Sequence, residues 1–384
     1  MRLLRSRLAK VALVLFGFSA AAFLALVLST WGLDVVGGQP SGERLARMQR
    51  SPNYRDGEFH NSDTTKAGVE GSVWESAKRW LFGPEQRHPP TPIPTVKLTR
   101  ASFATPPASG LRATWLGHST VLVEIDGMRI LFDPVWAKRV SPSSIIGPKR
   151  FFDVPLAIED VPDLDAVVAS HDHYDHLDRS VVKALAKAQP KTRFIVPLGV
   201  GAHLEKWGVA PERIIDLDWW ESITLGVLTL TATPARHFSG RGFSDKNHTL
   251  WASWSVRGPT HRVFHSGDTG PFAGFLDIGA QQGPFDLTLL KIGAYGEGWP
   301  DIHITPEQAV QAHNTLRGRA LLPIHWGTFN LAFHSWHEPA ERVVTAALAN
   351  GTKLFVPRPG ESIEPSSAPV VDPWWRRVNA TAKP

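Results

Sequence analysis

The chain has 384 residues, 42% apolar and 20% charged, which excludes a wholly disordered or fibrous protein and leaves room for a large core. Its net charge of +5 is not spread over the fold: Arg2, Arg5, Arg7 and Lys10 supply four cations within the first ten residues and leave +1 for the rest, so a nucleic-acid partner is not expected. With no cysteine, disulfides, thiolate metal ligands, a cysteine nucleophile and lipid attachment through an N-terminal Cys are all ruled out.

Residues 11–33 carry no charge, and a helix of that length rises roughly 34 Å, enough to cross a bilayer core. The cations before it and Asp34 after it predict an uncleaved, single-pass transmembrane helix in a bacterial inner membrane. The same charges predict the N-terminus in the cytoplasm and the catalytic domain on the periplasmic or extracytoplasmic side. A cleavable signal peptide is the rival reading, with Val36-Gly37-Gly38 as a weak cleavage site. Residues 34–110 read as a tether and N-terminal extension, stiffened by Pro89, Pro90, Pro92 and Pro94.

From residue 111 the pattern changes to short β-branched runs, predicting strands at 120–125, 129–132, 166–169, 193–196, 229–233, 262–265, 287–292 and 320–324. Helices are predicted at 180–188 and 306–316, the second opened by a Thr305-Pro306-Glu307-Gln308 capping box. Strands with helices interspersed imply an α/β layered domain over residues 111–356. The Pro-rich segment 357–384 reads as a loosely held tail.

The segment His171-Asp172-His173-Tyr174-Asp175-His176 directly follows an apolar strand and carries the strongest chemical signal. A turn at a strand end can aim His171 and His173 to one side as neutral imidazole ligands while Asp175 and His176 face a second position. Other predicted strands are followed by His237, Asp268 and His325. Together these give seven ligands for two Zn²⁺ ions: His171, His173 and His237 on one, Asp175, His176 and His325 on the other, and Asp268 bridging. Other divalent transition metals, such as iron or manganese, suit the same nitrogen and oxygen donors.

These residues resemble the metallo-β-lactamase superfamily, which implies an αββα sandwich behind the N-terminal transmembrane helix. The stretches Ser51–Gly57, Gly147–Phe151, Leu217–Glu221, Ile292–Tyr295 and Ile324–Phe329 are similar to those of N-acyl-phosphatidylethanolamine-hydrolysing phospholipase D and its bacterial relatives. That resemblance implies a membrane lipid substrate and a phosphodiesterase reaction: a hydroxide held between the metals attacks phosphorus, giving N-acylethanolamine and phosphatidic acid. A lactonase, or another hydrolase of a small lactone, ester or thioester on the same site, is the alternative. Asp175, Asp268 and His303 are the catalytic candidates, His303 resembling the family's extra active-site histidine that donates to a phosphoryl oxygen or the leaving alkoxide. His118 is expected beside the site, supporting a ligand or facing substrate, with a packing role as the alternative. For Trp219, Trp220, Trp299, Trp326 and Phe329 core packing is the preferred reading and an acyl groove the alternative. Lys149 and Arg150 read as a solvated basic turn, with a headgroup contact as the alternative.

Overall fold

The computed structural model describes residues 33–66, 73–369 and 372–380. The predicted span 11–33 lies outside the described residues except for Leu33, which opens a short 3-10 turn, Leu33–Val35. Among the described residues no helix is long and apolar enough to cross a membrane.

Helix α1 (Gly42–Gln49), the two-residue strands β1 (Tyr54–Arg55) and β2 (Glu58–Phe59) and helix α2 (Val73–Phe82) precede the main body. Strands β3 (Leu111–Gly117), β4 (Thr120–Ile125) and β5 (Met128–Phe132) form an antiparallel meander. Strand β6 (Ala166–Val168), helix α3 (Arg179–Ala188), strand β7 (Arg193–Pro197), helix α4 (Gly201–Lys206) and strand β8 (Ile214–Leu217) extend it in parallel. The second sheet begins with β9 (Ser222–Leu225), β10 (Leu228–Thr233), β11 (Ser253–Arg257) and β12 (Arg262–His265), all antiparallel. It continues through α5 (Gly274–Gln282), β13 (Leu287–Lys291), α6 (Pro306–Thr315) and β14 (Leu321–Ile324) with parallel pairing, followed by α7 (Glu338–Ala349). Strand β15 (Ser362–Ile363) closes the edge of the first sheet on β3, and α8 (Trp374–Ala380) ends the described chain.

Strand β4 shows why the predicted runs are apolar throughout rather than alternating. Val121, Val123 and Ile125 join Leu230, Trp254, Phe264 and Leu289 in the core between the sheets, whereas Leu122 points outward to Val181, Leu185 and Leu204 under α3 and α4. Both faces are covered, so both kinds of position are hydrophobic. The capping box is formed as predicted: Gln308 N–H donates to Thr305 Oγ1 at 3.3 Å, and Thr305 N–H to Gln308 Oε1 at 2.8 Å. The parallel strands bring the carboxyl ends of β5, β6, β12, β13 and β14 to one edge of the sandwich, where such folds place their sites.

Two expectations change. The segment 34–110 is no mere tether, because Met48, Phe59 and Ile93 are buried in the main core. Residues around the weak cleavage motif are packed as well. Trp207 Nε1 donates to Asp34 O at 2.6 Å, Arg241 Nη2 donates to Val35 O at 3.0 Å, and a Cβ on Gly37 would lie 2.1 Å from His203 Nδ1. The tail is not loosely held either. Trp374 and Trp375 are fully buried, Trp374 stacks on Trp326 with centroids 5.4 Å apart, and Trp375 Nε1 donates to Glu341 at 2.8 Å. Proline frequency suggested loose chain, but two buried indoles outweigh it.

Candidate metal centre

The carboxyl-terminal strand edge gathers all seven predicted ligands. His171, His173 and His237 form one group, and Asp175, His176 and His325, with His118, form another. Asp268 stands with His171 and His176, and again with His237 and His303. Its Oδ2 lies 3.0 Å from His325 Nε2, 3.4 Å from His176 Nε2 and 3.8 Å from His237 Nε2.

The imidazoles are aimed by what their outer nitrogens touch. His237 Nδ1 donates to Ile302 O at 3.1 Å, and His176 Nδ1 to Asp133 Oδ2 at 2.7 Å, so in each ring the Nε2 lone pair is left for the site. Ser170 braces Asp133 in turn through its N–H at 2.7 Å and its Oγ at 2.8 Å. Asp172, the second residue of the motif, turns away from the centre: it accepts from Gly240 N–H at 2.8 Å and Thr249 Oγ1 at 2.9 Å, fixing the loop. The backbone is strained at the centre, with φ of 52° at His118, 41° at Asp133 and 62° at His325, a region non-glycine residues rarely occupy. Next to His325 only glycine fits, since a Cβ on Gly293 would lie 2.1 Å from His325 O.

Electrostatics sort the groups. Burial, with His176 and His173 nearby, holds His171 neutral, well below the usual imidazole range. Burial opposes charge on His176 too, but Asp268, Asp175 and Asp133 outweigh it and push its pKa well above the usual value, so a metal ion at Nε2 would take the place of a proton. His118 is pushed down to about 3 by burial and by His325. Lys291 is pushed down to about 8 by burial, against the pull of Asp268 and Asp175.

The donor set fits metal ions. Among the described residues, the buried His176 Nε2 and His325 Nε2 have no hydrogen-bond partner, a costly state that a shared cation relieves. His171 Nε2 and His173 Nδ1 face each other at 2.8 Å, and His237 Nε2 is 3.4 Å from the latter, so three ring nitrogens converge on one point.

Other predicted residues fall in varied places. His118 Nε2 donates to Asp175 Oδ2 at 3.0 Å, supporting that carboxylate. His303 Nδ1 is 3.8 Å from Asp268 Oδ2, and the ring lines a cavity of about 290 Å³ beside the centre. Of the five aromatics only Trp299 lines that cavity; Trp219, Trp326 and Phe329 are buried, and Trp220 is partly exposed. Arg150 corrects the expected solvated turn. Its side chain is buried, lies 4.8 Å over the Phe329 ring and donates to Val135 O at 2.7 Å, and burial lowers its pKa to about 10.

Sequence reasoning missed three residues. Asp133 orients His176. Asn61, in the supposed tether, brackets the His237 backbone, donating to its carbonyl at 2.8 Å and accepting from its N–H at 3.0 Å. Lys291 stands fully buried beside Asp268; a lysine ending the run Leu287-Thr288-Leu289-Leu290 was the available signal.

The Beta-lactamase superfamily domain matches residues 128–326, which holds every residue of the predicted ligand set. An uncharacterized protein of Mycobacterium tuberculosis is 46% identical over 372 residues, covering 93% of this chain and 98% of its own. N-acyl-phosphatidylethanolamine-hydrolyzing phospholipase D 1 of Caenorhabditis elegans is 41% identical over 263 residues, covering 65% and 73%. A solved metallo hydrolase from Ignicoccus hospitalis superposes with a TM-score of 0.51 at 25% identity, covering 66% of this chain and 97% of its own. Sequence match, sandwich topology and the converging His/Asp cluster agree: the chain belongs to the metallo-β-lactamase superfamily as a metal-dependent hydrolase.

Proposed function

We propose that the protein is a dinuclear zinc phosphodiesterase of phospholipase D type, cleaving N-acyl-phosphatidylethanolamine-like lipids to N-acylethanolamine and phosphatidic acid. The observation that carries this reading is the convergence of His176, His237 and His325 on one oxygen of Asp268. Zinc at the two ligand groups would lower the pKa of a bound water toward about 7 and neutralise charge building on phosphoryl oxygens.

The remaining work falls to the chain's own residues. The phosphate sits in the 290 Å³ cavity, whose wall sets Phe238, Trp299, Ile302 and Leu331 against the ligands. Trp299 is held by its Nε1 donating to Ala294 O at 2.7 Å. Trp299 and His303 also border a larger cavity of about 850 Å³ that takes in Phe82 and Phe333, which offers aromatic surface to acyl chains. His303 stands where both cavities meet and donates a proton to the departing ethanolamine oxygen. The similarity to N-acyl-phosphatidylethanolamine-hydrolyzing phospholipase D 1 of C. elegans supports the substrate class.

The same reading has residues 11–33 cross a bacterial inner membrane once, with the catalytic part on the periplasmic side, where lipid substrate is at hand. Support comes from the cations before the segment; beyond it, Asp34 and Val35 dock on Trp207 and Arg241. Arg241 Nη1 also donates to Leu177 O at 3.0 Å, tying the exit of the segment to the ligand loop.

The test is turnover of N-acyl-phosphatidylethanolamine in liposomes by the full chain. Activity is expected to vanish on treatment with chelator and return with zinc, and a panel of lactones and thioesters is expected to stay intact. Full turnover by metal-stripped protein, or rapid lactone hydrolysis with untouched phospholipid, would defeat the reading.

A further inference from the structure

Lys291 ends β13 with no exposed surface, and lysine is almost never buried so fully unless paired. Its Nζ lies 3.8 Å from Asp268 Oδ1, donates to Gly293 O at 3.2 Å and contacts His303 Nδ1. Asp268 is therefore a carboxylate with two unlike ends. Oδ2 faces His325, His176, His237 and His303 at 3.0 to 3.8 Å, whereas Oδ1 faces the ammonium.

We infer that Lys291 is a positioning residue of the metal centre: its ammonium holds Oδ1 of Asp268, so that the carboxylate offers Oδ2 alone to both ligand groups. The inference rests on the two-metal reading above. Two consequences follow from charge and geometry. A carboxylate offering one oxygen to both ligand groups would hold two ions closer than one offering both. An ammonium on the outer oxygen also draws off negative charge that Asp268 would otherwise give to the metals, leaving them stronger Lewis acids. The contact with His303 acts in the same direction, because an ammonium donating to Nδ1 leaves the ring proton on the other nitrogen, the one turned away from Lys291.

The experiment compares full-length wild type, Lys291→Met, Lys291→Gln and Lys291→Arg. It reads zinc content per chain, zinc affinity by chelator competition, magnetic coupling between the ions in cobalt-loaded protein, and kcat and KM. Wild type is expected to hold two ions. Lys291→Met and Lys291→Gln are expected to bind the second ion about 10–100-fold more weakly, to show altered coupling and to lose a similar factor in kcat with little change in KM. Lys291→Arg, which keeps the cation, is expected to recover most of both. Two tightly held ions with wild-type coupling and kcat in a folded Lys291→Met or Lys291→Gln would overturn the inference. So would failure of both to fold while Lys291→Arg folds and binds metal normally, since the lysine would then serve the fold alone. Wild type holding fewer than two ions would instead defeat the two-metal reading itself.

Discussion

Asp268→Asn is expected to lower kcat on the order of 10³-fold or more, about 4 kcal/mol of transition-state stabilisation, while the protein folds normally. Asparagine keeps the shape of the side chain but removes the charge on which the site turns. Oδ2 is shared by His325, His176 and His237, and Oδ1 faces Lys291, so this one side chain touches members of both ligand groups. The variant should bind one zinc rather than two, measured as metal content of the purified chain. Unchanged metal content with unchanged kcat would remove Asp268 from the site.

Trp374→Ala is expected to destabilise the fold by about 3–5 kcal/mol, the usual loss when a fully buried indole is cut back to a methyl group. The indole packs on Trp326, which itself stacks on Trp115 with centroids 5.5 Å apart. Trp326 follows His325 directly, so the same change should loosen a ligand as well as the core. A denaturant melt reads the first effect and chelator competition the second. A wild-type melt would mean that the last helix contributes nothing to the fold.

How far the fold was legible depended on how the chain spends its apolar residues. Strands β4 and β12 appear with the predicted bounds because buried apolar residues occupy both faces of β4 and the centre of β12, Val263 and Phe264. Strand β11, Ser253–Arg257, was not predicted, because its polar positions look like a turn. Ser253 and Ser255 are in fact buried, and Ser253 Oγ is satisfied by donating to Ser266 O at 2.7 Å. The C-terminal helix was hidden in the same way by its flanking prolines. In the site, the ligands were readable because histidine and aspartate recur within a few residues after apolar runs. Asp133, Asn61 and Lys291 each stand alone in sequence and gain their roles from partners 43, 176 and 23 positions away, a distance that local pattern does not carry.

In the proposed reaction, water activated at the two ligand groups attacks phosphorus and releases the ethanolamine oxygen. The most direct measurement is mass spectrometry of the products formed by the zinc-loaded full chain from N-acyl-phosphatidylethanolamine in H₂¹⁸O. One ¹⁸O is expected in the phosphate of phosphatidic acid and none in the N-acylethanolamine. Label in the N-acylethanolamine, or in a released fatty acid with the phosphodiester intact, would contradict it.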